Sequence, residues 1–541
     1  MAGLSGGGGR RHRDPAKSKQ RTTTTTTQAA GPGLTPSGVL VPMSPELVAE
    51  NARPGSPWWV STAQAPRAIE GFASQVSAVS GDPVALFVNT RAAAFHVEAY
   101  RMGWYGGMGG RLVWRSPNVA GMQQPAPTVT PGVNTVECRW APSVVVPIGP
   151  DWFPGAYLLK LVGSGGEQQY VPLCIRDDTS TAAFVVQHSV TTWQAYNLWG
   201  GYSLYYGRRA GGLAFTQSPG NGDFTHRARI VSFDRPYPSN WASGAADFIG
   251  NELPVVLHAE RLGLDVTYAT DIDLHQHPER LHQHRCLISL GHDEYWSAPM
   301  RQGALDAVAA GVNIAFLGAN ACYRQIRLQS SPVGVDRLQV CYKSAAEDPM
   351  TGHDNALVTV NWPQPPVNEP ECILTGSTYQ DIGAKADMVV TDPSHWVLAG
   401  TGLRAGQHLP DVVRGEFDRY VPGQQGPTDV DVVAHSPVAN RRGNASDITW
   451  YTAPGAGGGG VLDTGNASWV GALADNAGGF PQNILPAPVP GITTTLLRVM
   501  ENVYSVLGAG PAGATHPSAG TWRAVYSTPS ASTTPPATHS A

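Results

Sequence analysis

Charge is what this sequence has least of. Asp, Glu, Lys and Arg together make up 14% of its 541 residues, where a quarter is usual. The formal net charge of −5 offers no basic face for nucleic acid or an anionic membrane surface. No unbroken apolar run is long enough for a membrane-spanning helix, which needs about 18 residues or more. The N-terminus carries Arg10, Arg11, Arg13, Lys17, Lys19 and Arg21, but six threonines at 22–27 stand where a secretory signal would have its apolar core. A cytoplasmic location is therefore expected. The six cysteines (138, 174, 286, 322, 341 and 372) are scattered with no C-x-x-C pair, which points to neither a zinc cage nor a disulfide scaffold. Cys138 and Cys174 could pair or stay reduced. No G-x-S-x-G occurs, so a serine hydrolase has no support. The Gly455–Gly460 run lacks the lysine and the strand-to-helix setting of a phosphate loop.

Glycine (62) and proline (45) are plentiful, and hydrophobic residues reach 42%. Many turns and long connections should therefore surround ample cores, in two domains with tails. Residues 1–45 read as a disordered, basic and threonine-rich tail. Between 46 and 178 the chain gives short alternating runs, among them Val84–Val88, Phe95–Tyr100, Ser143–Val146 and Tyr157–Leu161, separated by Gly/Pro turns. That pattern predicts an antiparallel β-sandwich of Ig-like type. From 179 to 508 strand and helix alternate, with strand candidates at 184–187, 229–233, 265–269, 286–290 and 312–317. The expected fold class is α/β, a mostly parallel sheet with helices on both faces. Leu496, Val499, Met500, Val503 and Leu507 recur at helical spacing and predict a closing helix. Residues 509–541 read as a mostly disordered tail.

The stretch Cys286–Trp296 organises the second domain. Five apolar residues suit a strand buried on both faces. Gly291 breaks the run, His292, Asp293 and Glu294 follow, and Ser297 can cap the next helix, with Pro299 in its first turn. In open α/β sheets ligands bind outside the carboxyl ends of the strands. Tyr196, Tyr237, Asp271, Asp273, Glu294 and Asn320 all follow strand candidates, so parallel strands would bring all six to one edge. A rival zinc site would use His275, His277, His282, His284 and His292, but His282 and His284 at i, i+2 face different sides of a helix. Cys322 lies beyond the sharp turn that a nucleophile elbow needs.

Five strings, Tyr100–Gly107, Ala195-Tyr196-Asn197, Ser232–Tyr237, Gly291–Trp296 and Phe316–Asn320, resemble the large-subunit family of N,N-dimethylformamidase, over about 65–505. The resemblance implies a core similar to the glutamine-amidotransferase fold, without its catalytic cysteine. It also implies a mononuclear Fe(III) held by Tyr196, Tyr237 and Glu294, with His292 and Glu416 as neighbouring catalytic groups. Tyr202 and Tyr205 are rivals for the place of Tyr196. Phenolate and carboxylate are hard oxygen donors that suit such an ion. The implied partners are a small-molecule amide, a separate small subunit and further copies in an oligomer. Two alternatives stay open: a binding or surface protein with an inert α/β domain, and a metal hydrolase of another class, such as sugar derivatives.

Overall fold

A computed structural model of the chain describes residues 31–61, 65–215, 222–439, 441, 444–455, 457–475, 479–481, 483–485 and 489–527. Two sheets form the sandwich. One joins Val144–Pro147, Pro83–Thr90 and Ile69–Ala73; the other runs Ser77–Ala78, Gln168–Ile175, Gly155–Gly163, Ala94–Met102 and Gly110–Arg115. Alternate residues of both, including Leu86, Val88, Val97, Leu159 and Val171, close one apolar core, as period-two patterning requires.

The second unit is built on a seven-stranded mixed sheet in the order Val266–Thr270, Phe184–His188, Cys286–Gly291, Asn313–Gly318, Gly460–Asp463, Ala445–Thr452, Asp431–Pro437. The first five strands are parallel and the last two antiparallel. Cys286–Gly291 is buried at every residue and lies between two neighbours. Ser297 caps the helix Ala298–Ala309 by accepting from the Met300 N–H. The closing helix Ile492–Leu507 buries Leu496, Val499, Met500, Val503 and Leu507. Asn313 fastens that helix to the sheet, donating 2.8 Å to the Leu507 carbonyl. The sandwich is joined to this unit by Arg101 and Glu260, 2.7 Å apart and both without solvent exposure. Removing either partner would strand a buried charge at a cost of about 3–5 kcal/mol.

The expected mostly parallel α/β sheet of glutamine-amidotransferase type is not what the chain forms. Only 21% is helical, and the strands are shared among several small mixed or antiparallel sheets. Two local events account for the difference. Ile230–Ser232, expected as a strand of the main sheet, pairs antiparallel with Leu338–Val340 in a separate four-stranded sheet. After Gly318 the βα alternation stops, and 378–389 with 408–419 makes a long antiparallel hairpin. The assigned tails also carry structure. Gly31–Leu34 pairs with Leu40–Met43, Trp522 donates 2.9 Å to the Thr428 carbonyl, and only 1–30 and 528–541 of those tails lie outside the described residues.

Candidate functional site

The short helix Val190–Tyr196 follows the strand Phe184–His188 and ends on Tyr196. Beside it, Gly291 closes the central strand with φ +57, and a Cβ there would sit 2.4 Å from the Asn251 carbonyl oxygen. Only glycine meets both demands. The chain then turns back over the sheet edge, and the Thr192 hydroxyl accepts from the backbone N–H of Glu294 at 3.0 Å. That contact fixes where the Glu294 carboxylate lies.

Glu294 is 1% exposed and gathers donors on both oxygens. Tyr196 donates to Oε2 at 2.8 Å, and the Tyr205 hydroxyl lies 2.9 Å from both Oε1 and Oε2. Arg324 Nε donates to Oε1 at 2.9 Å. The two phenol oxygens are 2.9 Å apart, and Tyr295 donates to Tyr205 at 2.7 Å. Lys343 Nζ lies 2.5 Å from the Tyr295 hydroxyl and 3.1 Å from the Tyr205 ring centre.

His292 stands on the open side. Its Nε2 is 2.8 Å from Glu416 Oε2 and 3.5 Å from Glu294 Oε2, but aligned for a hydrogen bond with neither. Glu416 is carried in by the hairpin strand His408–Arg419, which explains how a residue more than a hundred positions downstream reaches the sheet edge.

Electrostatics sets the protons. Burial opposes charge on His292, but Glu416 and Glu294 outweigh it and push the imidazole up to about 9. Burial would raise Glu294, yet Arg324, Lys343 and His292 together hold it below the usual carboxylate range. Burial first, then the Glu294 charge, drives the Tyr196 and Tyr205 phenols well above their ordinary value. Burial and Arg324 hold Lys343 well below that of a free lysine. The resting arrangement is therefore a carboxylate bridged by two neutral phenols, with an imidazolium between two carboxylates. A cation entering it would displace phenol protons rather than ionise exposed groups.

Of the sequence-predicted residues, the fold brings Tyr196, Glu294, His292 and Glu416 together. Tyr237 is not hydrogen-bonded to this group; it packs against Trp241 with ring centres 5.9 Å apart, and burial raises its phenol. Its strand belongs to the four-stranded sheet, so it never shared the edge that parallel strands would have supplied. Asp271 and Asp273 serve the backbone: Asp271 accepts from the Thr191 N–H at 2.9 Å, and Asp273 completes a cap with Thr270. The Asn320 N–H donates to Asp418 at 2.8 Å, leaving its own side-chain oxygen buried without a partner. Tyr202 is buried in the apolar cluster against which Tyr196 and Tyr205 pack, and is not hydrogen-bonded to Glu294. Arg324, Tyr295 and Lys343 escaped sequence reading. Lys343 did offer a signal, because the chain has only five lysines and this one is buried.

Among the described residues, no group of three or more His, Cys, Asp or Glu side chains could hold a metal ion. The histidine cluster disperses accordingly: His275 pairs with Ser297, His284 with the Ala182 carbonyl and His277 with Glu279. All six cysteines are free and buried, including Cys138 and Cys174. The remaining donor set is one of phenol and carboxylate oxygens.

Residues 96–482 match the family described as N,N-dimethylformamidase beta subunit-like, C-terminal. The chain belongs to that family. No curated protein matches it. Among solved structures, the crystal structure of murine CEACAM1b is similar over 22% of this chain and 62% of its own, with 11% identity and a TM-score of 0.12. The match spans less than two thirds of that structure's length and is too slight to bear on the fold. No described helix is long and apolar enough to cross a membrane.

Proposed function

We propose that this member of the dimethylformamidase beta-subunit-like family hydrolyses small linear amides with a mononuclear Fe(III). The proposed ligands are Glu294, Tyr196 and a second phenolate. The observation that carries this reading is the triangle of Tyr196, Tyr205 and Glu294 oxygens, 2.8 to 2.9 Å on each side. Six oxygens about 2.0–2.1 Å from a small hard cation are spaced by about 2.9 Å along an octahedral edge. The donors are hard and anionic once ionised, as such an ion prefers. The unaligned Nε2 of His292 faces the same carboxylate. Tyr205 is the second phenolate favoured by this geometry, whereas the family resemblance favours Tyr237.

Bound there, the ion supplies Lewis acidity toward a carbonyl oxygen. The remaining work falls to the chain. Glu416 accepts the proton of the attacking water as the C–O bond forms and the carbonyl π pair moves to oxygen, then returns it to the amine nitrogen as the carbonyl re-forms and the C–N bond breaks. The His292 imidazole nitrogen Nε2 lies 2.8 Å from the Glu416 carboxylate. The charges of Arg324, Lys343 and His292 together hold the Glu294 carboxyl below the usual carboxylate range. A separate small subunit is part of the proposal, resting on the family's beta-subunit description.

The test is metal analysis with a visible spectrum of the purified protein, followed by release of dimethylamine from N,N-dimethylformamide. One iron per chain, a tyrosinate colour and amine release are expected. An iron-free, colourless protein that still releases amine would refute the mechanism.

A further inference from the structure

A cavity of about 160 Å³ opens against Tyr196. Its walls include Tyr196, Trp199, Phe215 and Trp241, with Arg67 and Glu70 from the sandwich. Trp199 and Phe215 meet edge to face, ring centres 4.9 Å apart at 67°. The Arg67 guanidinium stacks 3.9 Å above the Phe215 ring. Glu70 is 2% exposed and fixes both walls, accepting from Arg67 Nε at 2.8 Å and Trp199 Nε1 at 2.8 Å. The aromatic faces are thus held rigid by a buried carboxylate.

We propose that this cavity holds the aromatic ring of an N-aryl amide, and so selects substrates larger than dimethylformamide. Three features point to that occupant. A cavity of roughly 150 Å³ takes one benzene ring, which matches the space here. Aromatic walls favour edge-to-face and offset contacts with a further ring. Arg67, itself stacked on Phe215, disfavours a cationic occupant while tolerating a neutral aryl group. A ring seated there brings its substituent against Tyr196, whose phenol oxygen is 2.8 Å from Glu294.

The inference rests on the amide-hydrolase reading for its chemistry. Water adds to the carbonyl carbon of the anilide, the C–N bond breaks, and the proton ends on the aniline nitrogen, giving a carboxylic acid and an arylamine. The experiment uses the full chain loaded with iron, and the probes are formanilide and N,N-dimethylformamide. Binding of formanilide is read from quenching of tryptophan fluorescence, and hydrolysis of each amide from amine release. Wild type should bind formanilide and favour it by kcat/KM. Phe215→Ala, or Trp241→Leu should the first variant misfold, should weaken formanilide binding at least tenfold. Either change should lower the formanilide-to-dimethylformamide ratio of kcat/KM by a similar factor. Formanilide that does not bind, or binds equally to wild type and variants, overturns the inference. Formanilide binding that depends on Phe215, with neither amide hydrolysed, upholds the cavity's ligand and overturns the hydrolase reading instead.

Discussion

Tyr205→Phe and Tyr237→Phe remove the same atom from two tyrosines in different surroundings, and the structure assigns them different consequences. The Tyr205 hydroxyl lies 2.9 Å from each oxygen of the buried Glu294, accepts from Tyr196 at 2.9 Å and accepts from Tyr295 at 2.7 Å. A hydrogen bond to a charged group contributes about 1.5–3 kcal/mol, and a buried partner left unsatisfied costs a further about 1–3 kcal/mol. Tyr295 still accepts from Lys343 but its own O–H loses its acceptor, and the Glu294 carboxylate keeps Tyr196 and Arg324 but loses one donor. Tyr205→Phe should therefore cost about 2.5–6 kcal/mol in urea unfolding without metal, and should lose both iron and colour. The Tyr237 phenol has no such partner, so Tyr237→Phe should cost less than about 0.5 kcal/mol and keep the metal. The assays are equilibrium unfolding, iron per chain and the visible band. If Tyr237→Phe bleaches the protein while Tyr205→Phe stays coloured, the geometric choice of ligand is wrong and the resemblance was the better guide.

Glu416→Gln should keep iron and colour but slow amide hydrolysis by about 10²–10⁴-fold, the range for removing a general acid or base, as read by amine release. Gly291→Ala should lower stability by about 2–5 kcal/mol, from about 1–2 for a left-handed Cβ and about 1–3 for overpacking against Asn251; thermal unfolding checks it. His258 is buried with Nδ1 unpartnered, and burial, then Arg261, lowers it from 6.5 to about 3. Its neutral form is thus favoured by the fold while the unfolded chain takes up the proton, so stability present above pH 6.5 is lost as pH falls toward 3, at up to about 1.4 kcal/mol per unit. His258→Leu should flatten the unfolding free energy measured across that window.

What was legible in the sequence divides along physical lines. Cys286–Gly291, Asn313–Gly318, the Ser297 cap and the closing helix are written in local periodicity and capping chemistry, and each forms where those signals place it. Pairing partners are not local. Ile230–Ser232 is apolar enough for the main sheet, but three residues fit equally well against Leu338–Val340, and nothing in the triplet states which edge it will take. Tyr237 inherits that ambiguity. A strand's period tells which face a side chain takes, not which sheet the strand joins.

The same distinction explains which parts of the site could be found. Tyr196 and Glu294 are anchored by elements that read clearly, the helix after one buried strand and the turn after its neighbour. His292 follows because the turn at Gly291 has φ +57 and leaves no room for a Cβ, which would meet Asn251, so only glycine makes it. Arg324 and Lys343, and Glu416, which only the family resemblance named, arrive instead on or beside segments paired across long sequence separations, where composition is that of an ordinary loop or hairpin. Their charges nonetheless decide the chemistry. Without the charges of Arg324, Lys343 and His292 beside it, burial would push the Glu294 carboxyl upward, and a protonated Glu294 could neither accept both phenols nor serve as an anionic ligand. The legible residues thus supply the oxygen atoms, and those the sequence concealed supply the field that keeps them usable.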